Sequence, residues 1–484
     1  MGFDFDEKTR RELGYKLIDQ VNEYFSSLPE RPVQLPLEQR TFGALTDRMP
    51  EVGDDAARVL EDVTREMIDK GFHVPSANYF GLMNPTPTYV AVLAEALVAA
   101  INPQLATLAR SQLASKIEKE VVRWIGERVG WNGTTAFDGT FTSGGNEANF
   151  SGLALALAHK FPGAVEDGVA SIGAQPTVYA SGESHHSLDK SVGLLGLGRK
   201  SLRRVELNER VQVDPGLVED AIKQDLAAGH KPFAIVATAG TTNSGAIDDI
   251  AALAELAQRY GLWLHVDGAY GGAAIFSEKH RGLVRGIEKA DSITLDPHKW
   301  LSMPFAAGII LTRHPQALED AFGVVTPYMP RTKNPTQIDN FKIGVQWSRR
   351  MNSLKFYLTL RVHGRKAYEE LIDRQLRLAA SFADWVRGSG SFELGAPQVL
   401  PIVNFRVQMP GAAEADVEAA NQAIVEEVTR DGVRWISHTH VNRRSVIRMM
   451  VISYLTEERH LTQLQEALTA AADKFRAAAV SRRA

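Results

Sequence analysis

The sequence predicts an α/β protein, a mostly parallel β-sheet with helices on both faces, flanked by an N-terminal helical segment and a C-terminal α+β domain. Three observations predict it. Short apolar, β-prone runs alternate with helical patterns between about residues 139 and 311. Several of these runs end in loops rich in Gly, Thr, Ser, His, Asp or Lys, at the edge where open α/β sheets bind ligands. Beyond residue 323 the rhythm breaks in glycines and prolines, and a long helical pattern leads out of the core.

Taken in order, residues 8–25 place Leu13, Leu17, Val21 and Tyr24 at helical spacing, and Pro29, Pro32 and Pro36 turn the chain into an extended connector. Residues 55–70 read as a second helix, whose apolar face packs on the chain's own body or on a second subunit. The segment 78–85 is aromatic and irregular and, with 102–108, is expected to line a pocket. Helices follow at 89–101 and 113–129. Strands are expected at 139–142, 177–180, 233–237, 263–267, 292–295 and 308–311, and helices at 147–159, 186–195, 215–228 and 250–260. Residues 323–345 have little periodicity, as in a functional loop or a disordered one. A helix over 353–387 precedes strands at 402–407 and 445–453 and helices at 415–430 and 458–479.

The chain has 484 residues, 54 basic and 58 acidic, with a net charge of −4, so charge gives no reason to expect nucleic acid or an anionic membrane as partner. It has no cysteine, which removes disulfides and thiolate chemistry. The acidic N-terminus does not resemble a signal peptide, and no stretch approaches the roughly 20 apolar residues of a spanning helix. The expectation is a soluble, cytoplasmic protein.

The chemistry centres on two motifs. His265-Val266-Asp267-Gly268-Ala269-Tyr270 ends one buried strand at an acid, and Asp296-Pro297-His298-Lys299-Trp300 ends the next at a lysine. Adjacent parallel strands would deliver both groups to one sheet edge. A desolvated lysine amine is a nucleophile toward carbonyls, and an aspartate suits a pyridinium nitrogen, a combination that describes a pyridoxal phosphate site. The same pair would serve as a buried ion pair joining two strands, so the other motifs decide. Thr142-Ser143-Gly144-Gly145-Asn146-Glu147-Ala148 passes from strand to helix through two glycines; freed amides and the helix N-terminus make an anion site there, and Asn146 adds a donor. A plain strand–turn–helix junction has the same look. In Ser184-His185-His186-Ser187 one histidine at most faces the site, and without a clear third ligand no metal is expected. Gly240-Thr241-Thr242 is ordinary turn chemistry by itself.

In this order the five motifs resemble those of the group II pyridoxal-phosphate-dependent amino-acid decarboxylases, over about residues 78–365. The resemblance implies a fold-type-I homodimer with its sites at the subunit interface. It also implies three divisions: 1–88, a helical arm and dimerisation segment; 89–365, the large cofactor domain; and 366–484, the small domain. Lys299 would form the Schiff base, Asp267 would face the pyridinium nitrogen, His185 would stack on the ring and Ala269 would pack beneath it. Gly144, Gly145 and Asn146 match the phosphate loop, as does Asp296, where some relatives carry Asn. Thr242 matches a residue near the ring hydroxyl, and His298 precedes the lysine as in the family. Tyr328, in Thr326-Pro327-Tyr328-Met329, resembles the tyrosine of the catalytic loop that returns a proton to Cα; relatives that release aldehydes can carry Phe there.

The expected substrate is an L-amino acid, and Tyr79, Phe80 and Trp300 tilt the expectation toward an aromatic one. Alternatives are an acidic or diamino substrate, a carbon–carbon lyase of the sphingosine-phosphate lyase type, a transaminase or aldehyde synthase, and a non-catalytic binding protein on the same scaffold.

Overall fold

The computed structural model describes residues 3–36, 48–133, 135–326 and 338–481. Helices α1 (Glu7–Ser27), α2 (Ala56–Lys70), α3 (Tyr89–Ile101) and α4 (Gln112–Val129) lead into β1 (Asp138–Thr142) and α5 (Gly145–Lys160). Then come α6 (Gly163–Asp167), β2 (Pro176–Ser181), α7 (Ser187–Leu194), β3 (Leu202–Val205), α8 (Pro215–Ala227), β4 (Lys231–Thr238), α9 (Ile250–Tyr260), β5 (Trp263–Asp267), β6 (Ser292–Leu295), β7 (Gly308–Thr312) and α10 (Pro315–Phe322). The remainder is α11 (Ser353–Gly388), β8 (Phe392–Leu394), β9 (Ile402–Val407), α12 (Glu414–Thr429), β10 (Ser437–Val441), β11 (Arg444–Met450) and α13 (Glu458–Ser481).

The large sheet has strand order β1-β7-β6-β5-β4-β2-β3. Every neighbouring pair is parallel except those made by β7, which runs against both β6 and β1. Parallel neighbours need a crossover, usually a helix. The connection between β6 and β7 holds none, and the chain returns antiparallel. Strands β5, β6 and β7 are buried along their whole length. They read as continuous apolar runs because helices cover both faces. Local signals set the helix ends. Asp214 accepts from the amides of Gly216 and Leu217 ahead of Pro215 at the first turn of α8, and Asp249 accepts from Ala252 at α9. Such caps are worth about 1 kcal/mol each.

Sheet register positions the site. Asp267 on β5 lies opposite Thr294 on β6, so the two strands end level with one another. Asp267 and the 296–299 turn emerge at the same C-terminal edge.

The small domain has a four-stranded antiparallel sheet, β10-β11-β9-β8, with its own core of Phe382, Phe392, Phe405, Ile447 and Leu464. Phe80 belongs to that core, and its backbone bonds to Trp435 and Met450. The N-terminal segment is therefore built into the small domain as well as leading into the large one. Helix α11 breaks at Gly364 (φ 76°, ψ 169°), beside the domain boundary expected at 365. Three strands lay outside the expectation: β3, β8 and β10. Among the described residues no helix is long and apolar enough to cross a membrane.

Candidate active site

The Asp267 carboxylate is 5% exposed. Its Oδ1 accepts from the Ala269 amide at 3.2 Å and its Oδ2 from Asn149 Nδ2 at 2.8 Å. On the neighbouring turn, Lys299 Nζ lies 3.1 Å from Asp296 Oδ2 and keeps about a quarter of its side chain (24%) accessible. Asp296 Oδ2 also accepts from the Gly145 amide at 2.9 Å, and His298 Nε2 stands 3.5 Å away. Asp296 Oδ1 is buried with no hydrogen-bond partner. The Ala269 carbonyl accepts from the Asp296 amide at 3.2 Å, so one alanine backbone ties the two motifs together.

The glycine turn is closed by these groups. Gly144 takes φ 157°, ψ 178°, where a side chain is strained, and a Cβ there would lie 3.0 Å from His298 Cε1. A Cβ on Gly145 would lie 2.7 Å from Asp296 Oδ2. The glycines thus let the N-terminus of the 16-residue α5 approach the lysine turn. The positive end of the helix favours an anion at this point. Glu147 accepts from both Ser143 N and Ser143 Oγ, which fixes the turn. Asn146 is exposed at the first turn.

His185 and His186 diverge as expected. His186 points to solvent beside Asp189, with a 3.3 Å contact. His185 Nδ1 accepts from the Ser187 amide at 3.1 Å, which leaves Nε2 to carry the ring proton. Desolvation lowers its pKa against the pull of Asp267, although part of the ring surface is open. Burial pushes His298 down to about 4, and its Nδ1 accepts from the Ala307 amide at 2.9 Å.

The Thr242 carbonyl accepts from Arg448 Nε at 3.1 Å, and Arg448 Nη1 donates to the Gly81 carbonyl at 2.6 Å. Burial lowers this guanidinium to about 10, so it stays charged at neutral pH, and no carboxylate pairs with it among the described residues. Neither Arg448 nor Asn149 was singled out from sequence. A lone arginine on an alternating strand and an asparagine inside a helix carry no local signal of a site.

Tyr79, Phe80 and Trp300, whose rings tilted the expectation toward an aromatic substrate, are packed inside the protein. Tyr79 stacks on Trp435 (5.6 Å, 18°), Phe80 is in the small-domain core, and Trp300 is fully buried with Nε1 donating to Gln375 Oε1 at 2.6 Å. These rings hold the scaffold together. Tyr328 lies outside the described residues. Among the described residues, the one grouping of three possible metal ligands is Glu418, His438 and His440 in the small domain, which includes neither His185 nor His186.

A reachable amine, a buried carboxylate and a glycine-led helix N-terminus converge on one sheet edge. This donor set fits pyridoxal 5′-phosphate: the amine for its aldehyde, Asp267 for its ring nitrogen, and the 144–146 turn for its phosphate. Residues 36–408 match the pyridoxal-dependent decarboxylase conserved domain, and the chain belongs to that family. It is similar to the aromatic-L-amino-acid decarboxylase of Bacillus atrophaeus, 31% identical over 96% of this chain and 95% of that protein. Tyrosine decarboxylase 2 of Arabidopsis thaliana is 29% identical over 97% of this chain and 88% of its own. Among solved structures, Oryza sativa TDC with PLP and tryptamine superposes with a TM-score of 0.92 at 25% identity, covering 98% of this chain and 100% of that one. This protein is an amino-acid decarboxylase that uses pyridoxal phosphate.

Proposed function

We propose that the protein decarboxylates aromatic L-amino acids to the amine and carbon dioxide, and that it works as a homodimer. The observation that carries the substrate class is the full-length likeness to an aromatic-L-amino-acid decarboxylase, with tyrosine and tryptophan decarboxylases among the other relatives.

Pyridoxal phosphate, when bound, supplies the electron sink for the pair left on Cα as carbon dioxide departs. Lys299 contributes the amine that holds it. Asp267, buried and held by Asn149 and the Ala269 amide, would face the ring nitrogen and favour its protonated form. His185 and Ala269 would hold the two faces of the ring, and Thr242 would stand near its hydroxyl. Gly144, Gly145 and Asn146 would hold the phosphate, with Asp296 and His298 beside them. Binding contacts to the substrate would orient the carboxylate that leaves. Tyr328 returns a proton to Cα.

Exposed apolar stripes support the dimer. Leu93, Leu97 and Ile101 recur every fourth residue along α3, and Val59, Val63 and Met67 do so along α2. A second copy is the simplest cover for paired stripes of this length.

A second reading keeps the substrate class and changes the product. A 26% identical relative is the 4-hydroxyphenylacetaldehyde synthase of Rhodiola rosea. A tyrosine at position 328 favours the amine. The test is carbon dioxide release by the cofactor-loaded protein from all standard L-amino acids, DOPA and 2,4-diaminobutyrate. Release from tyrosine, DOPA or tryptophan with an equal yield of amine is expected. Release only from glutamate, aspartate or a diamino acid would overturn the substrate, and aldehyde in place of amine would overturn the outcome.

A further inference from the structure

Behind Asp267 runs an unbroken line of buried side chains. Trp263 Nε1 donates to Ser292 Oγ at 2.8 Å, and Ser292 Oγ lies 2.8 Å from His265 Nδ1. His265 Nε2 is 3.1 Å from Asn149 Oδ1, and Asn149 Nδ2 donates to Asp267 Oδ2 at 2.8 Å. All five residues are buried.

The two ends fix the direction of every bond between them. An indole N–H can only donate, and a carboxylate can only accept. The Asn149 amide nitrogen spends its two hydrogens on Asp267 and on Ser187 Oγ, the latter at 3.0 Å. Its oxygen must therefore accept, and His265 Nε2 must carry the proton. The same N–H lies 3.3 Å from Thr294 Oγ1, which can share it. His265 Nδ1 is then the bare nitrogen, and it takes the Ser292 hydroxyl proton. Burial supports the uncharged ring, holding the imidazole down to about 4.

The packing reserves space for this ring. Asn149 and Gly152 lie one turn apart on α5, and a Cβ on Gly152 would fall 2.4 Å from His265 Cε1 and Nδ1. Glycine weakens a helix interior, yet here the imidazole occupies the place of its side chain.

We infer that Asn149 and His265 are positioning residues, a one-way donor relay from Trp263 and Ser292 that holds the Asp267 carboxylate oriented toward the cofactor's ring nitrogen. The inference rests on the role proposed for Asp267. A neutral relay has a specific advantage. A cationic histidine would compete with the pyridinium for the aspartate's charge, whereas an amide and a neutral imidazole fix the carboxylate and leave that charge available.

The test compares wild type with Asn149→Leu, His265→Leu and His265→Gln, each loaded with pyridoxal phosphate. Gln can accept from Ser292 and donate to Asn149, so it preserves the relay's direction. Cofactor dissociation constant, bound-cofactor absorbance maximum, kcat, KM and melting temperature are measured together. Loss of its hydrogen bond to the charged Asp267 predicts kcat lower by about 10- to 100-fold in Asn149→Leu, and loss of the neutral bond to Asn149 predicts up to about 10-fold in His265→Leu, with KM within about twofold in both. Cofactor affinity is expected to fall about tenfold with a shifted absorbance maximum, while His265→Gln stays within about fivefold of wild type. Wild-type kcat, affinity and absorbance in Asn149→Leu would overturn the relay. So would a His265→Gln variant as impaired as His265→Leu with an equal drop in melting temperature, because that pattern marks packing alone. If Asn149→Leu does not fold, Ser292→Ala cuts the relay farther from the site and is judged by the same criteria. A wild type that binds cofactor but turns over nothing would defeat the substrate reading alone, since affinity and absorbance still judge the relay.

Discussion

Lys299 Nζ lies 3.1 Å from Asp296 Oδ2, and that same oxygen accepts the Gly145 amide. The lysine that must attack an aldehyde is therefore held in an ion pair by the wall of the anion site. The pair must open before the amine can act.

Asp296→Asn keeps an acceptor for Gly145 and removes the counter-charge. With the lysine partly exposed, the pair is worth about 1 kcal/mol, or about fivefold. Capture of pyridoxal phosphate by the apoprotein is expected to be about fivefold faster, followed by stopped-flow absorbance. A slower or unchanged rate would show that the ion pair does not restrain the amine.

Asp248 gives a pH dependence. Its Oδ1 accepts from the Val213 amide at 2.9 Å and its Oδ2 from Thr238 at 2.8 Å, just below the 240–245 loop. Burial nevertheless raises the carboxyl from 3.8 to about 6. Between those values the folded protein binds the proton more tightly than the unfolded chain, so this group's contribution to stability falls as pH rises from 4 to 6. The shift corresponds to about 3 kcal/mol. Urea unfolding at pH 4 and pH 7 should show wild type losing about 3 kcal/mol relative to Asp248→Asn over that interval. Parallel pH profiles would refute it.

The α3 stripe predicts the assembly. Burying an apolar side chain such as Leu97 is worth about 1.5–3 kcal/mol, and a dimer would bury one from each copy. Leu97→Asp is expected to weaken dimerisation at least about 100-fold, giving a monomer by size exclusion with light scattering. A variant that elutes with wild type would place the interface elsewhere.

Much of this architecture was legible because strand and helix periods differ. Strands β5 and β6 and helices α3 and α9 fall at the expected residues. Strand β3 escaped notice because its sequence, Leu202-Arg203-Arg204-Val205, places two charges mid-strand at a sheet edge. Strand direction was hidden too, since β7 has the composition of the sheet's parallel strands and only the missing crossover helix betrays its reversal. At the site, the glycines, lysine and aspartate stand in short motifs, and their expected roles came from the resemblance those motifs carry. Asn149 could not, because its contact with Asp267 spans 118 residues and depends on the rotation of α5 against β5. Tyr79, Phe80 and Trp300 show the converse problem. Aromatic composition reports burial and says nothing about whether a ring faces a ligand or its own scaffold.

The Arg448 guanidinium joins Thr242, 206 residues earlier, to Gly81, 367 residues earlier. During synthesis the aspartate and lysine of the site leave the ribosome well before the arginine that fastens these two segments. These two segments can be clasped only after residue 448 has been made, so closing so long a loop is an entropic expense met late in folding.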